Sequence, residues 1–373
     1  MSFCPFYNAH TCRSCGWIQT PYPQQLSQKG EMLRTLLDPF SPQSYVPSVE
    51  SPSLGFRNKA KMVASATSSG ITLGLSDGVS LTHCPLYDTA MHTALHSIQA
   101  WLNHLGIKAY DVEKKKGELK YVLLTQSRYD GSMMVRLVLR SHGVLKRIQK
   151  ALEELLSQEP HIMVVTANIQ PLHAAILEGE EELFLTPCRR LEEQFNGIPL
   201  FIRPKSFFQT NPTVAEKLYQ TASEWVDESN PTILWDLFCG VGGFALHCAT
   251  PNRTLVGIEI QAEAIECARD SARSLGYDHL RFESMDTAQF HAHAGEKPQV
   301  VIVNPPRRGL GESLCHWLQT QKSQRIIYSS CNAVSLAKDL RYLSDYRVER
   351  VQLFDMFPHT EHYETLVELV KII

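Results

Sequence analysis

The residues best suited to chemistry lie in the C-terminal half. Asp236-Leu237-Phe238-Cys239-Gly240-Val241-Gly242-Gly243-Phe244 reads as a strand turning through glycines into a helix, and Glu259 follows 16 residues after Gly243. Glycines let the backbone pass close to a ligand, and an acid at the end of the next strand can accept hydrogen bonds from both hydroxyls of a ribose. Dinucleotides and S-adenosylmethionine both carry such a ribose. The turn lacks the full G-x-G-x-x-G spacing and is preceded by Asp236, which favours S-adenosylmethionine, although a lone Gly-rich turn can also be purely structural. Further on, Ser329-Ser330-Cys331-Asn332 ends one predicted strand and precedes a helical pattern from Val334 to Leu343. A cysteine beside a helix N-terminus feels a partial positive charge that stabilises its thiolate, whereas most single cysteines only pack. Asn304-Pro305-Pro306 would suggest amino-group methylation if an aromatic followed, but Arg307 and Arg308 stand there.

A thiolate at the cofactor end of a methyl-transferring sheet answers a particular need. Carbon 5 of a pyrimidine is a poor nucleophile until another nucleophile adds at carbon 6. A base must then take the carbon 5 proton so that the cysteine can leave. Glu364, in Phe357-Pro358-His359-Thr360-Glu361-His362-Tyr363-Glu364, is expected to return to such a site on an antiparallel strand. Alone, such a glutamate is more often a surface carboxylate, and His359 and His362 read as scaffold.

The elements that must hold these groups follow from periodicity. From about residue 232 strands and helices alternate: Ile233–Phe238, Leu255–Ile260, Val300–Val303 and Arg325–Ser330 each end at one of the unusual segments. That rhythm predicts a parallel sheet covered by helices on both faces, with ligands outside the carboxyl ends of its strands. This half resembles the class I Rossmann-like methyltransferase fold. Residues 55 to 205 read instead as short strands around helices at 86–105 and 145–156, an α+β pattern, with hairpin turns at Tyr129-Asp130-Gly131-Ser132 and Asn196-Gly197. Asn211-Pro212 reads as the N-cap and first residue of a helix.

A chain of 373 residues suits two compact domains. Its 43% hydrophobic and 20% charged content is ordinary globular usage, no apolar run approaches the ~18 residues that cross a bilayer, and the start lacks a secretory pattern, so a cytoplasmic protein without membrane contact is expected. Nothing points to an obligate protein partner. The net charge of −3 conceals asymmetry: residues 101–150 hold eleven Lys and Arg against four Asp and Glu, and the next fifty hold two against nine. Polyanion binding depends on the local field, so an RNA or DNA partner is open, as is a solvated face balanced by Glu180-Glu181-Glu182. In a reducing compartment ten cysteines suggest metal binding or catalysis rather than disulfides. Cys4, Cys12, Cys15 and Cys84 could hold a [4Fe-4S] cluster or tetrahedral zinc; prolines after Cys4 and Cys84 lean toward iron and sulfur.

Gln209-Thr210-Asn211, Asp236 to Gly243, Asn304-Pro305-Pro306-Arg307, Ser330-Cys331-Asn332 and His362-Tyr363-Glu364 occur in the order seen in RNA uracil-C5 methyltransferases, and the chain resembles that family over essentially its whole length. The resemblance implies that Gln209, Phe238, Gly240, Glu259 and Asn304 contact S-adenosylmethionine, that Cys331 is the nucleophile and Glu364 the base, and that the four early cysteines hold a [4Fe-4S] cluster. It further implies a uridine of 23S ribosomal RNA, U747, as target. Many relatives carry Asp where this chain has Asn304, which can hold cofactor or uracil but cannot replace a carboxylate base. The implied organisation is a cluster-binding segment over 1–90 that begins an α+β domain, the rest of that RNA-binding domain over 91–205, and a methyltransferase domain over 206–373. Stacking in a duplex blocks attack at carbon 6, so a flipped or loop uridine is expected, stacked on Phe207 or Phe208 unless these are core.

Overall fold

The computed structural model describes residues 2–173, 176–286 and 297–372. Its helices are α1 (Pro5–Asn8), α2 (Tyr22–Leu37), α3 (Thr89–His104), α4 (Leu145–Gln158), α5 (Pro212–Asp227), α6 (Gly243–His247), α7 (Ala262–Ser274), α8 (Glu312–Gln321) and α9 (Ala333–Leu340). Its strands are β1 (Ser44–Val49), β2 (Lys59–Thr67), β3 (Gly70–Gly74), β4 (Leu119–Gln126), β5 (Met133–Leu139), β6 (Ile162–Ile169), β7 (Glu181–Phe184), β8 (Leu191–Phe195), β9 (Ile198–Ile202), β10 (Ile233–Leu237), β11 (Thr254–Glu259), β12 (Arg281–Ser284), β13 (Val300–Val303), β14 (Arg325–Ser330), β15 (Tyr346–Phe354) and β16 (Glu364–Lys371). The chain divides into two compact units, one of residues 1–14 and 54–193, the other of residues 15–53 and 194–373.

The first unit is built on a mixed sheet in the order β3-β2-β4-β5-β6-β7. Alternate residues of its strands, among them Met62, Val122, Val135 and Ala167, share one buried cluster with Leu95 and Ile98 of α3 and Ile148 and Leu155 of α4. Asp88 caps α3 by accepting from the Met91 N–H at 2.9 Å. Gly131 lies at φ +76° in the turn joining β4 to β5, as its sequence context predicts. Much of the basic excess is neutralised locally. Arg136, 2% exposed, pairs with Glu182 and Glu178, and Arg128, Arg140 and Lys114 pair with Asp88, Glu118 and Asp111.

The second unit carries an eight-stranded sheet in the order β1-β15-β16-β14-β13-β10-β11-β12. Strands β10 to β14 run parallel to one another, and β16 enters antiparallel between β14 and β15. Trp235, Ile258, Val301, Tyr328 and Val367 face a cluster with residues of α2, α8 and α9. The alternating residues Leu234, Leu255, Ile302 and Ile327 are equally buried, so both faces are covered, as an interior parallel sheet requires. Residues 15–53 contribute α2 and β1, and β1 pairs parallel with β15 as the sheet edge. Lys29 of α2 and Asp355, both wholly buried, form an ion pair at 2.7 Å, and the same ammonium donates to the Phe357 carbonyl at 3.0 Å. No helix among the described residues is long and apolar enough to cross a membrane.

Candidate active site

The Gly-rich turn leaves β10 at Phe238, itself left-handed at φ +65°, and passes Gly240 at φ +55° and Gly242 at φ +87° before α6 begins at Gly243. Phe238 pays for that conformation, because a bulky residue rarely adopts it. Gly243 is fixed by packing rather than by φ: a Cβ there would lie 2.5 Å from the Tyr219 ring. Behind the turn, fully buried Asp236 accepts from the Ala245 N–H at 2.9 Å through one carboxylate oxygen, while the other has no partner among the described residues. Burial pushes the Asp236 carboxyl up to about 8, helped by the charge of Glu259 and opposed by the Ala245 hydrogen bond. Glu259, at the end of β11, accepts from the Gly240 N–H at 3.2 Å and the Gln261 N–H at 3.0 Å. Asn304 follows β13, and its N–H donates to the Leu237 carbonyl at 3.2 Å, so Asn304 and Phe238 leave adjacent strand ends together. Gln209 is buried and hydrogen-bonded to the Tyr219 phenol.

This donor set fits S-adenosylmethionine. The Glu259 carboxylate lies against the glycine turn where ribose hydroxyls can replace the Gly240 N–H.

Cys331 and Glu364 are brought together by strand register. In the antiparallel β14–β16 ladder Ser330 pairs with Thr365, so the next residue of one strand, Cys331, stands opposite the preceding residue of the other, Glu364. Opposed residues in such a pair have α-carbons about 5 Å apart. Glu364 is 3% exposed and accepts from the Ser329 hydroxyl at 3.5 Å. Burial raises its carboxyl to about 8, and the Ser329 hydrogen bond pulls the other way. Cys331 is half-buried; burial first and the charge of Glu364 second raise its thiol, while the Arg307 guanidinium opposes both by charge and by a hydrogen bond. The helix after Cys331 is capped by Asn332, whose side chain accepts from the Val334 N–H at 3.1 Å.

Arg307 carries more weight here than its sequence context suggested. In the sequence it stands as the residue that excludes an aromatic after Asn304-Pro305-Pro306 and as the last residue of that family motif, with no role assigned to it. No sequence signal marks Tyr219, and Ser329 is marked only as the start of the segment that leads to Cys331. Asn211 occupies the N-cap position of α5, but its side chain makes no cap; its amide donates to the Ser51 hydroxyl at 2.7 Å and the Met356 carbonyl at 3.3 Å instead. The two aromatics before Gln209 diverge: Phe208 packs on Phe195 with ring centroids 5.2 Å apart, whereas Phe207 is 68% exposed. His359 is scaffold. It is buried at φ +67°, its Nδ1 accepts from the Gln25 amide at 3.3 Å, its Nε2 therefore carries the proton donated to the Ser53 carbonyl at 2.8 Å, and burial lowers its pKa. His362 is exposed.

The expected four-cysteine metal centre is not assembled as a ligand set. Among the described residues, no group of three or more His, Cys, Asp and Glu side chains converges closely enough to hold a metal ion, and none of Cys4, Cys12, Cys15 and Cys84 is in a disulfide. Cys15 belongs to the second unit and the other three to the first. Burial raises the Cys84 thiol to about 11, and the charges of Cys4 and Cys12 push the same way.

Comparison with known proteins agrees with this geometry. Residues 296–372 match the family model described as tRNA (Uracil-5-)-methyltransferase. The chain is 52% identical to the 23S rRNA (uracil(747)-C(5))-methyltransferase of Escherichia fergusonii over 99% of both chains. It is likewise 52% identical to the protein of that name from Shewanella loihica over 99% of both. Among solved structures, the tRNA (uracil-54, C5)-methyltransferase of Pyrococcus abyssi, in complex with S-adenosyl-L-homocysteine, superposes with a TM-score of 0.81 at 26% identity, covering 96% of this chain and 85% of its own.

Proposed function

We infer from one premise, that the chain belongs to the RNA uracil-C5 methyltransferase family, that it methylates carbon 5 of a uridine in 23S ribosomal RNA, the nucleotide being U747. The observation that carries the chemistry is the meeting of Cys331 and Glu364 at the end of the β14–β16 ladder, in the same sheet and at the same strand ends as the glycine turn. S-adenosylmethionine, when bound, supplies an electrophilic methyl group on a sulfonium.

The chain's own residues do the rest. Glu259 takes the ribose hydroxyls, with Gln209, Phe238, Gly240 and Asn304 around the remainder of the cofactor. The Cys331 thiolate, steadied by Arg307, adds to carbon 6 of the uracil and makes carbon 5 nucleophilic. Glu364 in its ionised form removes the carbon 5 proton after methylation, and the electron pair left behind expels the Cys331 sulfur. A carboxyl raised to about 8 is a stronger base than an exposed glutamate, which suits the removal of a proton from carbon. Phe207 offers an exposed ring on which an unstacked uridine can rest. A ribosomal RNA substrate makes the cytoplasm the site of action. The reading keeps a [4Fe-4S] cluster on Cys4, Cys12, Cys15 and Cys84, supported by the family resemblance, by the prolines after Cys4 and Cys84, and by Cys4 and Cys12 lying near enough to Cys84 to act on its thiol. Anaerobic purification with iron and sulfide analysis tests it, and stoichiometric zinc or no metal would remove it.

The decisive experiment incubates the protein and S-adenosylmethionine with 23S RNA carrying 5-fluorouridine. Fluorine in place of the abstractable proton should trap an adduct at Cys331, visible by mass spectrometry and absent from Cys331→Ala. An adduct at another residue, or methylation by Cys331→Ala, would end this mechanism.

A further inference from the structure

The segment between β13 and α8 is fastened to the helix that follows the nucleophile at three points. The Asn332 amide donates to the Arg307 carbonyl at 2.9 Å. Seven residues along the same helix, Asp339 receives the Leu310 N–H at 2.7 Å on one carboxylate oxygen and the Gly311 N–H at 3.0 Å on the other. Asp339 is 3% exposed, and it also accepts from the Tyr328 hydroxyl at 2.7 Å, from β14 three residues before Cys331, and from the Cys315 thiol. The turn itself is tight: the Gly309 N–H donates to the Pro306 carbonyl at 2.9 Å, Gly309 lies at φ +81°, and a Cβ there would overlap the Asp339 carboxylate. Asn332 and Asp339 therefore hold the two ends of Arg307–Gly311, and the side chain this segment presents to Cys331 is the Arg307 guanidinium.

We propose that Asp339 is a positioning residue for the nucleophile, fixing the Arg307–Gly311 turn so that the Arg307 guanidinium stays against Cys331. The inference rests on Cys331 being the nucleophile. Among the described residues the charged groups acting on Cys331 are Glu364, across the ladder, and Arg307, so the guanidinium is the favourable charge there and its placement bears on how much thiolate is present. Asp339 faces Tyr328 and, from α8, Cys315, whose thiol is raised by burial and by the Asp339 carboxylate. A buried carboxylate accepting two backbone N–H groups is a rigid anchor, because both donors would be stranded without it.

The test uses Asp339→Asn in the full chain, whose amide nitrogen must face one of those N–H donors. Peptide-resolved mass spectrometry follows alkylation of Cys331 by iodoacetamide across pH. The midpoint should rise by about one unit, the scale expected for losing a nearby opposite charge, while S-adenosylmethionine affinity is unchanged. Arg307→Ala should give a similar rise, and the double variant no more than Arg307→Ala alone, since both remove one interaction. Tyr328→Phe, which removes one hydrogen bond and keeps the fold, should shift the midpoint the same way by less, and it decides the matter if Asp339→Asn does not fold. An unmoved midpoint in the folded variant, or shifts of Asp339→Asn and Arg307→Ala that add, would overturn the proposal. Failure of the wild-type protein to form the 5-fluorouridine adduct would instead count against the nucleophile assignment, leaving the alkylation result to be judged by itself.

Discussion

Replacing Glu364 by Gln separates two roles of one carboxyl. The folded protein moves this group from 4.5 to about 8. At ~1.36 kcal/mol per unit, that is roughly 5 kcal/mol by which the fold prefers the neutral acid over the carboxylate. Since the folded pKa is raised, the associated stability is fully present below 4.5 and is lost as pH rises through 8. The base, however, works only as the carboxylate, so wild-type turnover should climb between pH 6.5 and 9 while thermal stability declines. Gln removes the charge and keeps the shape. Glu364→Gln should lose much less thermal stability over that interval, with turnover reduced about 10²- to 10⁴-fold as expected for deleting a general base. It should also accumulate a methylated, denaturant-resistant protein–RNA adduct with ordinary uridine RNA, which the wild-type protein releases. Melting curves at several pH values and denaturing gels supply both readings. A variant that turns over at the wild-type rate, or one inactive without adduct, would refute the assignment of proton removal to Glu364.

Other perturbations probe the supports. Glu259→Gln keeps the shape but loses charge-assisted hydrogen bonds worth ~1.5–3 kcal/mol, so calorimetry should show S-adenosylmethionine binding about 10- to 100-fold more weakly, with little change in melting temperature. Gly243→Ala drives a Cβ into the Tyr219 ring 2.5 Å away, and denaturant unfolding should show a loss of ~1–3 kcal/mol together with weaker cofactor binding. Lys29→Met leaves Asp355 buried without its partner and should cost ~3–5 kcal/mol, while adding Asp355→Leu should restore most of it. If the double variant stays as unstable as Lys29→Met, the ion pair is not the source of the loss.

What could be read from the sequence was local. The glycines at 240, 242 and 243, the acid at 259, the prolines after Asn304 and the cysteine before a helix all announce strand ends, because each type is needed where backbone turns or a helix begins. The hairpin at Asn196-Gly197 was equally legible, since both residues take positive φ, +52° and +79°. Contacts between distant segments were not. Nothing in Ser44–Val49 says that it pairs with Tyr346–Phe354, because edge pairing depends on a partner's register rather than on its composition. Lys29 lies in an amphipathic helix where a lysine predicts solvent, yet it is buried against Asp355. Asn211 illustrates the same limit: an asparagine before proline predicts a cap, but two acceptors from remote segments took its amide. The cysteine spacing names a possible ligand set, but spacing records ligand type and not the convergence of side chains.

The edge pairing also constrains how the polypeptide matures. Strand β1 is synthesised about 300 residues before the strand it pairs with, and at ~5–20 residues per second that is an interval of ~15–60 s. During it, residues 54–193 can complete their own sheet, whereas α2 and β1 have no sheet to join. The growing chain thus carries an undocked amphipathic helix and an unpaired strand until Tyr346–Phe354 leaves the ribosome, and this early piece, rather than the catalytic strands, is where a chaperone would have the longest opportunity to bind.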